Sequence, residues 1–213
     1  HRLSPIAHRP ISNHTHNSMG ILDMSLTTLK LSEPVPHVLE VCLNRPDRLN
    51  AMNRAFWREY REVFATLNSD THFRVAVITA AGRHFTAGLD LAELQQDGGS
   101  EAFSENEDSG DIARKAVHLR EHVKLYQDAF VQMEQCRVPT IVAVHGACIG
   151  GGVDLCCSAC IRYSCQKSYF CVQEVNVGLA ADVGTLQKIP KLGISMSRVN
   201  EWAYTARCVT FFF

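Results

Sequence analysis

Residues Thr140 to Val144 form a continuous apolar run, and within the next eight positions the chain passes through Gly146 and then Gly150, Gly151 and Gly152. A second apolar run, Val153 to Cys157, follows at once. The pattern spells a buried strand, a glycine turn and a buried helix. Glycines at such a turn let backbone N–H groups approach a ligand, and a helix start adds the positive end of a dipole. It is not a Walker A loop, because no Gly-Lys-Ser/Thr follows, and Gly146 is wrongly spaced from the triplet for a dinucleotide-binding GxGxxG. Gly193-x-Ser195-x ends in Ser197 rather than glycine, so there is no nucleophile elbow either.

The same stretch is the most apolar in the chain, yet His145, Asp154 and four glycines make it a poor membrane span. With 213 residues, 46% of them apolar and 20% charged, the composition is that of one soluble globular domain with an arm or short extra segment. Such a core needs no staples. A net charge of −1 argues against a nucleic-acid binder, which carries a basic excess. Of nine cysteines, six crowd between Cys148 and Cys171. An odd count without a secretory signal speaks against a disulfide framework, and Cys157-x-x-Cys160 lacks the second half of a zinc site. No metal site is expected.

Residues 1–30 read as an N-terminal arm, either a targeting remnant or disordered, since its first 22 residues hold Arg2 and Arg9 but no acid. From residue 31 to 213 a single domain is expected. Val38 to Leu43 reads as a strand. Asn53 then caps a helix with Phe56, Tyr60, Val63, Phe64 and Leu67 at 3.6-residue spacing. Arg74 to Ala80 reads as a second strand, so the domain belongs to the α/β class. Residues 84–113 hold eight acids and no Lys or Arg, which reads mostly as a solvated loop. Ile112 to Met133 then steps by fours and threes as an amphipathic helix, and Pro139 stops it.

Three carboxylates follow the glycine turn in mostly apolar surroundings: Asp154, Glu174 and Asp182, twenty and eight residues apart. Asp154 falls in the first helical turn, where a dipole-favoured cap is the plain role, and Asp182 is placed to cap a helix from Thr185 to Lys188. Carboxylates in apolar turns also have raised pKa values and serve as general acids or bases. Spacing alone leaves both roles open.

Asn44-Arg-Pro-Asp-Arg-Leu-Asn-Ala-Met52, His84-Phe-Thr-Ala-Gly-Leu-Asp90 and Gly146-Ala-Cys-Ile-Gly-Gly-Gly-Val-Asp154 together resemble the enoyl-CoA hydratase/isomerase (crotonase) superfamily. Gln173-Glu-Val-Asn-Val-Gly-Leu-Ala-Ala-Asp-Val-Gly-Thr-Leu-Gln187 is similar to its Δ3,5-Δ2,4-dienoyl-CoA isomerase branch, which is found in mitochondria and peroxisomes. The resemblance runs from about Leu31 to Arg207. It implies a ββα spiral whose oxyanion hole is the backbone N–H of Leu89 and of Gly151. It also implies Ala51, Ala87, Gly88 and Gly150 as substrate-binding positions and Asp154, Glu174 and Asp182 as catalytic acids.

The implied reaction moves a 3,5-diene of a fatty acyl-CoA to the 2,4 positions, with the coenzyme A thioester as substrate and no cofactor. A hydratase uses two acids at the positions of Asp154 and Glu174 and is the alternative. A non-catalytic protein binding CoA esters or a partner is another. Members of the family continue for roughly 50–60 residues beyond the equivalent of Phe213, a subdomain-sized helical region that builds trimers and hexamers. That region is therefore expected to be largely absent here, and homo-trimer or hexamer assembly is expected only where it exists. Cys160 stands where members commonly have aspartate.

Overall fold

The computed structural model describes residues 20–96 and 111–210; the readings made for 1–19 and 97–110 lie outside them. Strand β2 (Val38–Leu43) alternates half-buried and buried positions, turning Leu39, Val41 and Leu43 to the core. It pairs antiparallel with β1 (Leu29–Val35) and parallel with β3 (Val75–Ala80). Next come β4 (Thr140–Val144) and β6 (Ile161–Ser164), both parallel, giving the order β1-β2-β3-β4-β6. A smaller sheet joins β5 (Ala147–Ile149) to β7 (Tyr169–Cys171).

Parallel neighbours need crossovers, and helices supply them. Helix α1 (Arg54–Ser69) leads from β2 to β3; α2 (Leu91–Gln96) and α3 (Ile112–Glu134) lie between β3 and β4; α4 (Gly151–Ser158) leads from β5 to β6. Each coil gives one strand to the large sheet and then a short segment to a second layer. Met52 bridges Leu89, Thr86 bridges Cys148, and β5 pairs with β7. This is the expected ββα spiral. After β7 the chain makes a short 3-10 turn, Glu174–Val177, then α5 (Thr185–Lys188) and α6 (Met196–Thr205).

The Asn53 side chain accepts from the Phe56 N–H at 3.0 Å, capping α1 as its sequence implies. Phe56, Trp57, Tyr60, Val63, Phe64 and Leu67 bury one face of that helix. In α3 only the last turns are buried, through Ala129, Phe130 and Met133, while Ile112 is 83% exposed. The apolar stepping there extends beyond the packed part of the helix.

Two boundaries move. Ile21 and Leu29 belong to the core, so the folded unit begins before residue 30. The tether is Glu59, buried on α1, which accepts from the N–H groups of Thr27 and Thr28 at 3.0 and 2.9 Å and from their hydroxyls at 2.7 and 2.6 Å. A short segment held by one distant carboxylate leaves no periodicity to read. Likewise, the acidic segment is not all loop: residues 84–90 belong to the inner layer, and Leu91–Gln96 is helical. All nine cysteines carry free thiols. At Cys160 the turn is closed by Thr140, whose Oγ1 accepts from the Cys160 N–H at 3.1 Å. Among the described residues no helix is long and apolar enough to cross a membrane.

Candidate active site

Two turns of successive coils meet at the site. The Met52 N–H donates to Gly88 O at 2.7 Å, and the Asp90 N–H donates to Met52 O at 3.1 Å. Between these two rungs of a parallel bridge, Leu89 turns its own N–H away from Met52. The second turn is Gly150, at φ 50° and ψ −121°, a conformation open in practice only to glycine. Its N–H donates to Cys171 O at 2.9 Å. Gly151 then opens α4, so its N–H has no acceptor within the helix. The turns touch closely: a Cβ on Gly88 would lie 2.9 Å from Ile149 O, and one on Gly152 would lie 2.3 Å from the Thr86 methyl. Thr86 braces them by donating to Asn50 O at 2.7 Å and accepting from the Gly88 N–H at 3.1 Å.

Leu89 and Gly151 line one cavity of about 300 Å³ together with Ala87, Gly88, Gly150, Glu174 and Asp182. Trp57 of α1 and Leu119, Val123 and Tyr126 of α3 make much of its apolar wall. Trp57 is stacked on Tyr126 with ring centroids 4.5 Å apart. Ala51 is not part of this wall. Its carbonyl instead accepts from Arg45 Nη1 at 2.5 Å, and the same nitrogen pairs with Asp90 at 2.9 Å. Ala51 thus helps hold the loop that bears Leu89.

The three carboxylates differ in depth. Asp154 is 1% exposed and lies behind the cavity rather than in its wall. It does not cap α4; Gly150 is the capping residue. Instead Oδ1 accepts from both the N–H and the hydroxyl of Thr185, each at 2.6 Å, while Oδ2 is buried without a partner among the described residues. Glu174 opens the 3-10 turn after β7, half-buried, with Oε2 also buried and unpartnered. Asp182, an exposed residue, stands on the turn that lines the cavity. It does not cap α5, whose cap is Gly184; its carbonyl accepts from Gln127 Nε2 of α3 at 2.6 Å.

Burial raises all three acids. It carries Asp154 up to about 6, held from going further by the Thr185 bonds and the Lys188 charge. Glu174 is carried to about 7, first by burial and then by the charge of Asp154, with Asp182 adding to it. Asp182 is raised by burial as well. Carboxyl groups spread in this way let one stay protonated near neutrality while another is ionised. Such acids can give and take protons at an apolar cavity that Leu89 and Gly151 also line, neither of whose N–H groups has a backbone acceptor among the described residues. Sequence reasoning missed Trp57, Thr185 and Lys188, for their parts depend on which coil each meets.

The family model described as enoyl-CoA hydratase/isomerase matches residues 35–210. The chain belongs to the enoyl-CoA hydratase/isomerase family. It is 48% identical over 185 residues to the human mitochondrial Delta(3,5)-Delta(2,4)-dienoyl-CoA isomerase, covering 87% of this chain and 55% of that one. Against the peroxisomal isomerase of the same name from Arabidopsis thaliana it is 37% identical over 170 residues, 80% of this chain and 59% of that one. The chain thus spans little more than half the length of these relatives. An enoyl-CoA hydratase/isomerase of Mycobacterium paratuberculosis has the same fold, with a TM-score of 0.72 at 28% identity, over 87% of this chain and 68% of that one.

Proposed function

We propose that this chain isomerises a 3,5-dienoyl-CoA to the 2,4-dienoyl-CoA. Leu89 and Gly151 hold the thioester oxygen through their N–H groups, Glu174 and Asp182 exchange the two protons, and Asp154 supplies a fixed charge behind them. The observation that carries the reading is one apolar cavity lined by two acids and by Leu89 and Gly151, whose N–H groups have no backbone acceptor among the described residues, with a third acid behind it. Loss of a proton from C2 sends its electron pair toward the thioester oxygen, giving a conjugated enolate. Return of the pair forms the C2=C3 bond, moves the others to C4=C5, and takes up a proton at C6. Charge develops on the oxygen, where each N–H donor is worth roughly 2.7–4 kcal/mol in comparable sites. Two protons move at carbons four apart, which suits two separate carboxyl groups. No electron carrier enters the balance, and none is proposed.

Hydration of a 2-enoyl-CoA is the competing chemistry. It needs two acids that both reach the water and the substrate. Asp154 stands outside the cavity wall with one oxygen held by Thr185, whereas Asp182 is in the wall. That placement favours the isomerase. The names of the relatives support a mitochondrial or peroxisomal setting, and assembly into trimers or hexamers belongs to the same proposal. The test is diene absorbance with a 3,5-dienoyl-CoA, run beside hydration of a 2-enoyl-CoA. Rapid isomerisation with slow hydration is expected. The reverse would make the protein a hydratase, and inactivity on both with retained CoA-ester binding would make it a binding protein.

A further inference from the structure

Asp154 is the acid farthest from the cavity and the one most firmly held. Two donors from one residue, the N–H and hydroxyl of Thr185, converge on Oδ1 at 2.6 Å each. Both bonds are strongest to a charged carboxylate. Among the described residues Oδ2 is left buried and unpartnered, and so is Oε2 of the neighbouring Glu174. Two acids that each keep a bare buried oxygen cannot both be charged without a large cost. We propose that Thr185 is a positioning residue: by donating twice to one oxygen it keeps Asp154 charged, and that charge obliges Glu174 to hold a proton.

The other groups around Asp154 fit this division. From α5, Lys188 donates to Ser158 Oγ at 2.6 Å and pairs with Glu134 of α3 at 3.0 Å, so its charge is near Asp154 but directed elsewhere. From α4 itself, the thiols of Cys156 and Cys157 are pushed up by burial and stay neutral. From the 3-10 turn comes Glu174, and beyond it Asp182, which also disfavours a charge on Glu174. Thr185 is thus the residue that decides which of the two innermost acids carries the charge.

The first arm of the test does not depend on the proposed reaction. Carboxyl ¹³C resonances of Asp154 and Glu174 are titrated in the wild type, Thr185→Val, Thr185→Ser and Asp154→Asn. Loss of one charge-assisted bond in Thr185→Val should raise the Asp154 midpoint by about one pH unit. Thr185→Ser should restore it, and Asp154→Asn should lower the Glu174 midpoint by about one unit. An unmoved Asp154 in Thr185→Val, an equal shift in Thr185→Ser, or an unmoved Glu174 in Asp154→Asn would each overturn the proposal. If Thr185→Val does not fold, Thr185→Ala, which removes the same hydroxyl, takes its place with the same expected and overturning shifts. The second arm rests on the isomerase reading: Thr185→Val should shift the acid limb of the pH–kcat profile toward neutrality, with KM within about twofold. Shifted midpoints in a protein inactive on dienes would sustain the role of Thr185 and defeat the isomerase. An active isomerase with unshifted midpoints would do the opposite.

Discussion

Gly150 and Glu174 are neighbours across two coils of the spiral: a Cβ on the glycine would lie 3.3 Å from Oε1 of the glutamate. The residue before the proposed oxyanion donor and the residue proposed to exchange a proton therefore share one small space. Under the proposed function, this proximity sets Glu174 beside the thioester, next to the carbon whose acidity the oxyanion turn would raise.

Gly150→Ala should consequently damage chemistry more than folding. A methyl group there meets Glu174, and φ of 50° disfavours any side chain. Displacement of both groups by a few tenths of an ångström should lower kcat by ten- to a hundredfold. Steady-state kinetics beside a circular dichroism spectrum checks this, with an unchanged spectrum expected.

Asp182→Asn should abolish diene isomerisation while leaving the melting temperature within about 2 °C of the wild type. Asp182 is exposed, and its recorded bond to Gln127 uses the main-chain carbonyl rather than the carboxylate. Near-normal turnover in the variant would remove Asp182 from the mechanism.

The pH dependence follows from the spread of the acids. The active form carries one proton between Glu174 and Asp182, whichever of the two holds it. Activity (kcat/KM) should therefore fall on the alkaline side with a midpoint near 7, where Glu174 loses its proton, and on the acid side as Asp154 and Asp182 gain theirs. Glu174→Gln should erase the alkaline limb along with most of the rate.

Raised acids also weigh on stability, and the sign is definite. Glu174 goes from 4.5 to about 7 on folding, so its protonated form favours the fold below pH 4.5. That contribution is lost as pH rises toward 7. Because the group is only half-buried, the cost at pH 8 is about 1–2 kcal/mol. Glu174→Gln should raise the melting temperature by about 2–6 °C at pH 8 and leave it unchanged at pH 4. Thermal melts at the two pH values give the comparison.

Glu59 behaves in the opposite way. Four donors from Thr27 and Thr28 outweigh its burial and hold the carboxylate below its usual range. Its stabilising effect is present above the ordinary glutamate pKa and is lost as pH falls through the depressed one. Glu59→Gln should cost roughly 1.5–3 kcal/mol at pH 7 and free the segment around Ile21 for proteolysis.

Sequence patterning specified the regular parts well because their physics is local. Val38–Leu43 reads as a strand, Thr140–Val144 as a continuous apolar one, and Asn53 as the cap of its own helix; the structure has all three at those residues. The glycine turn was legible for the same reason, since Gly150 occupies a backbone region that other residues avoid. The partners of the acids were not legible. Asp154 and Thr185 are 31 residues apart, and Glu59 is 31 or 32 from its threonines. Nothing in either neighbourhood announces the other. Position alone leaves Asp154 and Asp182 open to a capping as well as an acid/base role, but Gly150 and Gly184 are the caps.

The spiral distributes its chemistry by instalments. Leu89 arrives with the second coil, Gly151 and Asp154 with the third, Glu174 and Asp182 with the fourth. A nascent chain that has emerged only as far as β6 therefore carries both amides and no acid in the cavity wall. It also lacks β7, whose Cys171 carbonyl accepts from the Gly150 N–H and fixes the glycine turn. Under the proposed function, neither half of the chemistry is assembled until the segment bearing Glu174 and Asp182 has seated on the earlier coils.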